Sequence, residues 1–131
     1  MATQSDLNGS LTAITVIPPV NLLVAAGTAT YAGVDLQDYI NNIKLTFVWA
    51  GAAADGSNSL AISLLDSADN TTFAATAGLP TFAAVTADSG SVSVALDTRN
   101  VRRYIQGKLL TSSTTATFRS ALVGVGLKQV I

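Results

Sequence analysis

The dominant period along this chain is two. Between Ser91 and Asp97, Val92, Val94 and Leu96 fall on one face and Ser91, Ser93, Ala95 and Asp97 on the other. Leu60, Ile62 and Leu64 alternate with Ala61, Ser63 and Leu65, and Ile43, Leu45, Phe47 and Trp49 share a face opposite Lys44 and Thr46. Val101, Arg103, Ile105, Gly107 and Leu109 form one row, with Arg102, Tyr104, Gln106, Lys108 and Leu110 on the other side. Half-buried strands produce this alternation, because successive side chains of an extended chain point to opposite faces.

The punctuation suits an all-β chain. A first strand, Leu11–Ile17, is expected to end at Pro18-Pro19, since neither proline donates to a ladder. Turn formers at Ala54–Asn58, Asp66–Thr72, Ala87–Gly90 and Ser112–Thr115 separate strand patterns, and the Leu79-Pro80 region reads as a longer connection. One segment competes. In Asp35–Lys44, Leu36, Tyr39, Ile40 and Ile43 follow helical spacing and Asp35 suits an N-cap, which predicts one or two helical turns leading into the Ile43 strand.

The last predicted strand, Ala116–Val130, is apolar on both faces from Ala121 to Leu127, so it is covered on both sides. Gly124 and Gly126 lie on one face and leave room for another backbone or a bulky side chain. Two readings stay open: a long central strand with a bend, or a contact with another subunit.

Composition narrows the function. The 131 residues contain no Cys, no His and no Glu; all eight acids are Asp, and Ala alone contributes 21 residues. A disulfide scaffold, a thiolate zinc site and a cysteine nucleophile are excluded, and the usual general bases are missing. An enzyme is not expected. The mean hydropathy of +0.45 with 11% charged residues is high for a soluble monomer. The longest apolar stretch, Phe47–Ala54, has 8 residues, whereas a spanning helix needs about 20. The opening MATQSDLNGS has neither a basic region nor an apolar core, so no signal peptide is expected. Two explanations of the hydropathy remain, a surface covered by neighbouring subunits or an unusually apolar monomer.

Net charge is −1, but the charges are segregated. Residues 1–98 hold all eight Asp and only Lys44, whereas Arg99, Arg102, Arg103, Lys108, Arg119 and Lys128 lie in the acid-free remainder. These cations alternate with Val, Ile, Leu and Phe, so they belong to the fold rather than to a nucleic-acid arm. Three readings of the Arg102–Lys108 strand stand side by side. It is an amphipathic strand paired with Asp97 or Asp88, a contact with an acidic neighbour, or a stacking platform for single-stranded nucleic acid, which the pI of 4.9 opposes.

Asp66-Ser67-Ala68-Asp69-Asn70 offers oxygen ligands to calcium, but the full calcium-loop pattern is absent, and Asp and Asn are also turn formers. Trp49 is a candidate sugar platform, yet it shares its face with Phe47, Leu45 and Ile43, which marks it as core. The many Ser and Thr residues have no His to activate them. Gly124-Val125-Gly126 is only a fragment of a nucleotide fingerprint.

Three stretches in order carry a resemblance. These are Val34–Tyr39 before a long strand; Leu65–Phe73, with the S-x-D-(G/N)-x-T-F look of a hairpin; and Asp97–Ile105, running into the penultimate strand. Over roughly residues 30–130 the chain resembles small jelly-roll-like cement or decoration proteins of tailed bacteriophage capsids. The resemblance implies a virion protein that clamps adjacent major capsid subunits, often as a dimer or trimer, with an N-terminal extension reaching a neighbour. The second and third stretches are also similar to discoidin-like and carbohydrate-binding sandwiches, whose hairpin often reads S-x-D-G-x-x-W and whose final strands carry R-Y-(I/V)-R. Here Phe73 stands in place of that Trp, Gln106 in place of the second Arg, and the Cys pair of many discoidin domains is absent.

The expectation is an all-β antiparallel sandwich, jelly-roll-like, of about eight strands with at most one or two helical turns. Residues 1–10 form an extension and 11–131 a single domain. The expected function is that of a capsid cement protein on the shell exterior, made in the cytoplasm of a bacterial host. Its partners are the major capsid protein and its own copies, as a dimer or trimer, with no cofactor, nucleic acid or membrane. Arg102, Arg103 and Lys128 are the candidate interface residues. The alternatives are a carbohydrate-binding or adhesive module, or a tail or fibre component.

Overall fold

The computed structural model describes residues 11–23, 27–51, 60–83, 85, 89–111 and 117–128, without the side chains of 20–23, 27, 51, 117 and 118. Residues 1–10 and the turn formers at 54–58, 87–88 and 112–115 lie outside the described residues. The described residues form eight strands and no helix: β1 (Leu11–Leu23), β2 (Gly27–Thr30), β3 (Val34–Asp35), β4 (Tyr39–Gly51), β5 (Leu60–Ser67), β6 (Ser89–Asp97), β7 (Tyr104–Thr111) and β8 (Thr117–Lys128). One sheet, A, has the order β1-β8-β4-β6. In the other, B, β7 is central: β5 pairs along its whole length, while β2 pairs with Lys108–Thr111 and β3 with Tyr104 and Ile105. Every pairing is antiparallel. Apart from the two-residue β3, successive strands alternate between the sheets, as in a jelly roll.

The period-two reading explains the core. Ile43, Leu45 and Phe47 of β4, Leu60, Ile62 and Leu64 of β5, Leu96 of β6 and Ile105 and Leu109 of β7 are all buried between the sheets. Phe47 stacks on Trp49 with ring centroids 5.6 Å apart and meets Phe82 edge-on at 6.2 Å. Trp49 is therefore a half-buried flank of the core, packed against it as its face predicted.

Three expectations change. First, β1 does not stop at the prolines. It continues to Leu23 with register shifts between Thr15 and Ile17 and between Ile17 and Val20. β1 pairs only with β8, and an edge strand tolerates residues that cannot donate, because their missing N–H can face away from the ladder. Second, no helical turn precedes β4. Leu36 N–H donates to the Arg103 carbonyl, Gln37 N–H donates to Asp35 Oδ1, and Tyr39 N–H closes a turn on the Leu36 carbonyl at 3.0 Å. A register shift around Asn41, whose φ is 59°, then spends four residues of β4, Ile40 to Lys44, against two of β8, so Tyr39 and Ile43 stay on the inner side. Leu36, Tyr39 and Ile43 thus all meet the core at helix-like spacing without a helix. Third, β7 begins at Tyr104 rather than Val101, because Arg102 is turned toward Asp66.

β8 settles the open question about its glycines. It is an inner strand of sheet A, between β1 and β4. A Cβ at Gly124 would meet Leu45 Cδ2 at 2.7 Å, and one at Gly126 would meet the Tyr39 ring at 2.7 Å. Both glycines make room for side chains of this chain's own core.

Candidate interaction face

Arg102 grips Asp66 at the end of β5: its N–H and Nε donate to Oδ2 and Oδ1 at 3.0 and 2.9 Å, and Nη2 reaches the Asp66 carbonyl at 2.7 Å. Thr76 Oγ1 donates to the same carboxylate at 2.9 Å. Arg103 holds Asp35 with Nε and Nη2 at 3.0 and 2.8 Å, and its guanidinium lies 5.0 Å over the Tyr104 ring. Lys128 stands apart from these two, with Nζ 5.9 Å over the Tyr39 ring. Asp97 is taken by Arg99, so Asp66 and Asp35, rather than Asp97, hold the two expected interface arginines; Asp88 lies outside the described residues. The cation–aromatic pair expected of a nucleic-acid platform is here anchored to an acid of the same chain.

The 66–72 hairpin is a turn. Asp69 Oδ1 accepts from the N–H groups of Thr71 and Thr72, each at 2.9 Å, and from the Ser67 hydroxyl at 2.7 Å. These bonds, the Thr72 N–H foremost, hold its carboxyl down at about 2. Asn70 takes the left-handed conformation at φ 59°, which Asn tolerates well. The Asp66 carboxylate is thus committed to Arg102 and Thr76, and Asp69 Oδ1 to the hairpin's own N–H groups and Ser67.

The surface that remains is the outer face of sheet A, and the register defines it. β4 contributes Lys44, Thr46, Val48 and Ala50; opposite them on β8 stand Val125, Val123, Ala121 and Arg119. β1 adds Leu11, Ala13 and Thr15 beside β8, and β6 adds Ser91, Ser93 and Ala95 beside β4. Leu11 is 53% exposed, Val125 51%, and Val48 and Val123 39% each, a concentration of large exposed apolar side chains on one sheet. Thr46 and Ser93 hydroxyls bond each other at 2.8 Å across β4 and β6. A shallow cleft of about 560 Å³ opens at one end, lined by Pro19, Val48, Trp49, Ala50, Arg119, Ser120 and Ala121.

Charge on this face is sparse and one-signed. Lys44 and Arg119 project from it and make no ion pair among the described residues. The acid at its corner, Asp97, is neutralised by Arg99 at 2.9 Å. Sequence reasoning passed over Lys44 and Arg119 because it weighed runs of charge, whereas an isolated cation among apolar neighbours is visible only once the register is known.

No protein-family model matches this chain, and no curated protein matches it. Among solved structures, the VP2 subviral particle of infectious bursal disease virus aligns with a TM-score of 0.53 at 12% identity, over 90% of this chain and 32% of that one. The structure of the Gx strain of the same virus gives 0.53 at 10% identity, over 90% and 32%. The chain thus spans about a third of the virus chains it matches, and at these identities the likeness is one of fold: a β-sandwich shared with part of a viral capsid protein. The C-terminal CBM6 of LamC from Zobellia galactanivorans aligns at 0.42 and 11% identity, over 86% and 98%, a score that carries no argument about this chain.

Proposed function

We propose that this chain is a structural virion protein, an accessory sandwich that lies on the outside of a capsid shell and bridges its major subunits. The observation that carries the reading is the outer face of sheet A, where Leu11, Val48, Val123 and Val125 stand exposed together and Lys44 and Arg119 are the cations that project among them. Four strands about 4.8 Å apart and about nine residues long at roughly 3.4 Å each give it some 600 Å². A standard interface takes about 800 Å² per partner. The face as a whole therefore supplies most of one specific contact, and the exposed side chains of Leu11, Val48, Val123 and Val125 form its apolar part. The sandwich's likeness to part of a viral capsid protein supports the same reading at the level of fold.

Binding is non-covalent on this account. Val48, Val123, Val125 and Leu11 are removed from water, while Lys44 and Arg119, with Lys128 at the end of the sheet, meet acidic groups of the shell and fix orientation. Arg102 and Arg103 stiffen the sandwich through Asp66 and Asp35. The test is add-back of purified protein to particles assembled without it. Wild type binds saturably, Val123→Asp and Val125→Asp lose at least tenfold in affinity, and Leu110→Asp on sheet B stays within twofold. Wild type that does not bind, or binding broken only by Leu110→Asp, overturns the reading.

A further inference from the structure

Each edge of a β-sheet offers unpaired backbone groups to any passing strand, and native proteins guard such edges with prolines, bulges, charges or short strands. This sandwich guards its other edges. β1 carries Pro18 and Pro19 and two register shifts. β2 and β3 are four and two residues long. The outer side of β5 is bridged at both ends, Leu60 to Val85 and Asp66 to Ala74. β6 has none of these devices. It pairs with β4 in unbroken register from Ser89 opposite Ala50 to Asp97 opposite Asn42. It holds no proline, and its single charge, Asp97, sits at the far end and is held by Arg99.

Among the described residues, the core is also less covered beside this strand. Val92 stands opposite Phe47, on the inner side of the sheet, yet it is 37% exposed, and Val94 is only half-buried. We propose that β6 is the surface by which two copies of this chain associate, strand to strand, about a two-fold axis normal to sheet A. The second copy is the occupant that fits because Ser89–Leu96 is self-complementary. Antiparallel pairing with itself sets inward valines against inward valines and Ser91, Ser93 and Ala95 against one another, with no like charges opposed. A rotation about the sheet normal also keeps faces together. Both outer faces of sheet A then point the same way, doubling the apolar surface described above without hiding it.

An edge about 30 Å long and about 10 Å thick buries roughly 300 Å² per copy, below a standard interface, so the dimer is weak and depends on concentration. Sedimentation equilibrium from micromolar to near-millimolar protein reads it directly. Wild type passes from monomer to dimer over that range, and Val92→Lys, which turns a charge into the joint, remains monomeric with an unchanged circular-dichroism spectrum. Because the chain has no cysteine, single-cysteine variants give a second readout that needs no loss of folding. Ser91→Cys or Ser93→Cys forms a disulfide-linked dimer on oxidation, whereas Thr15→Cys on β1 does not. A wild type that is monomeric throughout overturns the proposal. So does a dimer that persists in Val92→Lys and cross-links through Thr15→Cys but not through β6.

Discussion

Asp66, next to last in β5, has its side chain 1% exposed, and its charge survives there because of what reaches it. Burial raises its carboxyl, but the backbone N–H and guanidinium of Arg102 and the Thr76 hydroxyl outweigh that and hold it below the usual carboxylate range. Asp35 and Asp97 are lowered mainly by the side chains of Arg103 and Arg99, and Asp69 by the hairpin N–H groups to about 2. A carboxyl depressed in the folded state stabilises the fold above its unfolded value, about 3.9, and that stabilisation is lost as pH falls through the folded value. With no His or Glu to titrate in between, chemical-denaturation stability should stay level from about pH 5 to pH 9 and fall between about pH 4 and pH 2. Asp66→Asn should cost about 2 kcal/mol at neutral pH, less than a fully buried pair because Arg102 is half-exposed, and should flatten the acid limb. A stability maximum near pH 6, or an unchanged acid limb in Asp66→Asn, contradicts this. The sequence displayed the charge segregation but not its resolution. Asp66 and Arg102 are 36 residues apart, and Asp35 and Arg103 are 68 apart, so folding alone pairs them.

At the scale of elements, alternation located β4, β5, β6 and the inward row of β7; β4, β5 and β7 bury their inward rows, whereas on β6 only Leu96 is buried. It failed where the register shifts. The turn at Leu36–Tyr39 and the register shift at Asn41 imitate a helix, and β1 passes two prolines because its edge position tolerates them. Close approach between the sheets was legible only as an oddity of composition. On β7, Gly107 faces inward, and a Cβ there would collide with Ile17 of β1 and press on Val16. Gly107→Val therefore forces the two sheets apart and should destabilise by about 2 kcal/mol in urea titration. A loss under about 0.5 kcal/mol would show that Ile17 has room to repack.

For the whole molecule, the absence of Cys, His and Glu with an alternating pattern pointed to a sandwich that assembles rather than reacts, and the all-β architecture is what folds. The surface that assembles was harder to see. Val123, Val125, Val48 and Leu11 come from three strands that only the sheet order brings together, and the basic third of the chain drew attention to arginines that the fold uses internally. The central claim, that this apolar face lies on a capsid shell, is tested most directly by counting. Quantitative mass spectrometry on gradient-purified particles from the source gives copies of this chain per major capsid subunit. A bridging role on the shell gives a ratio near one, or a simple fraction set by shared sites. A handful of copies per particle, or none, would contradict it.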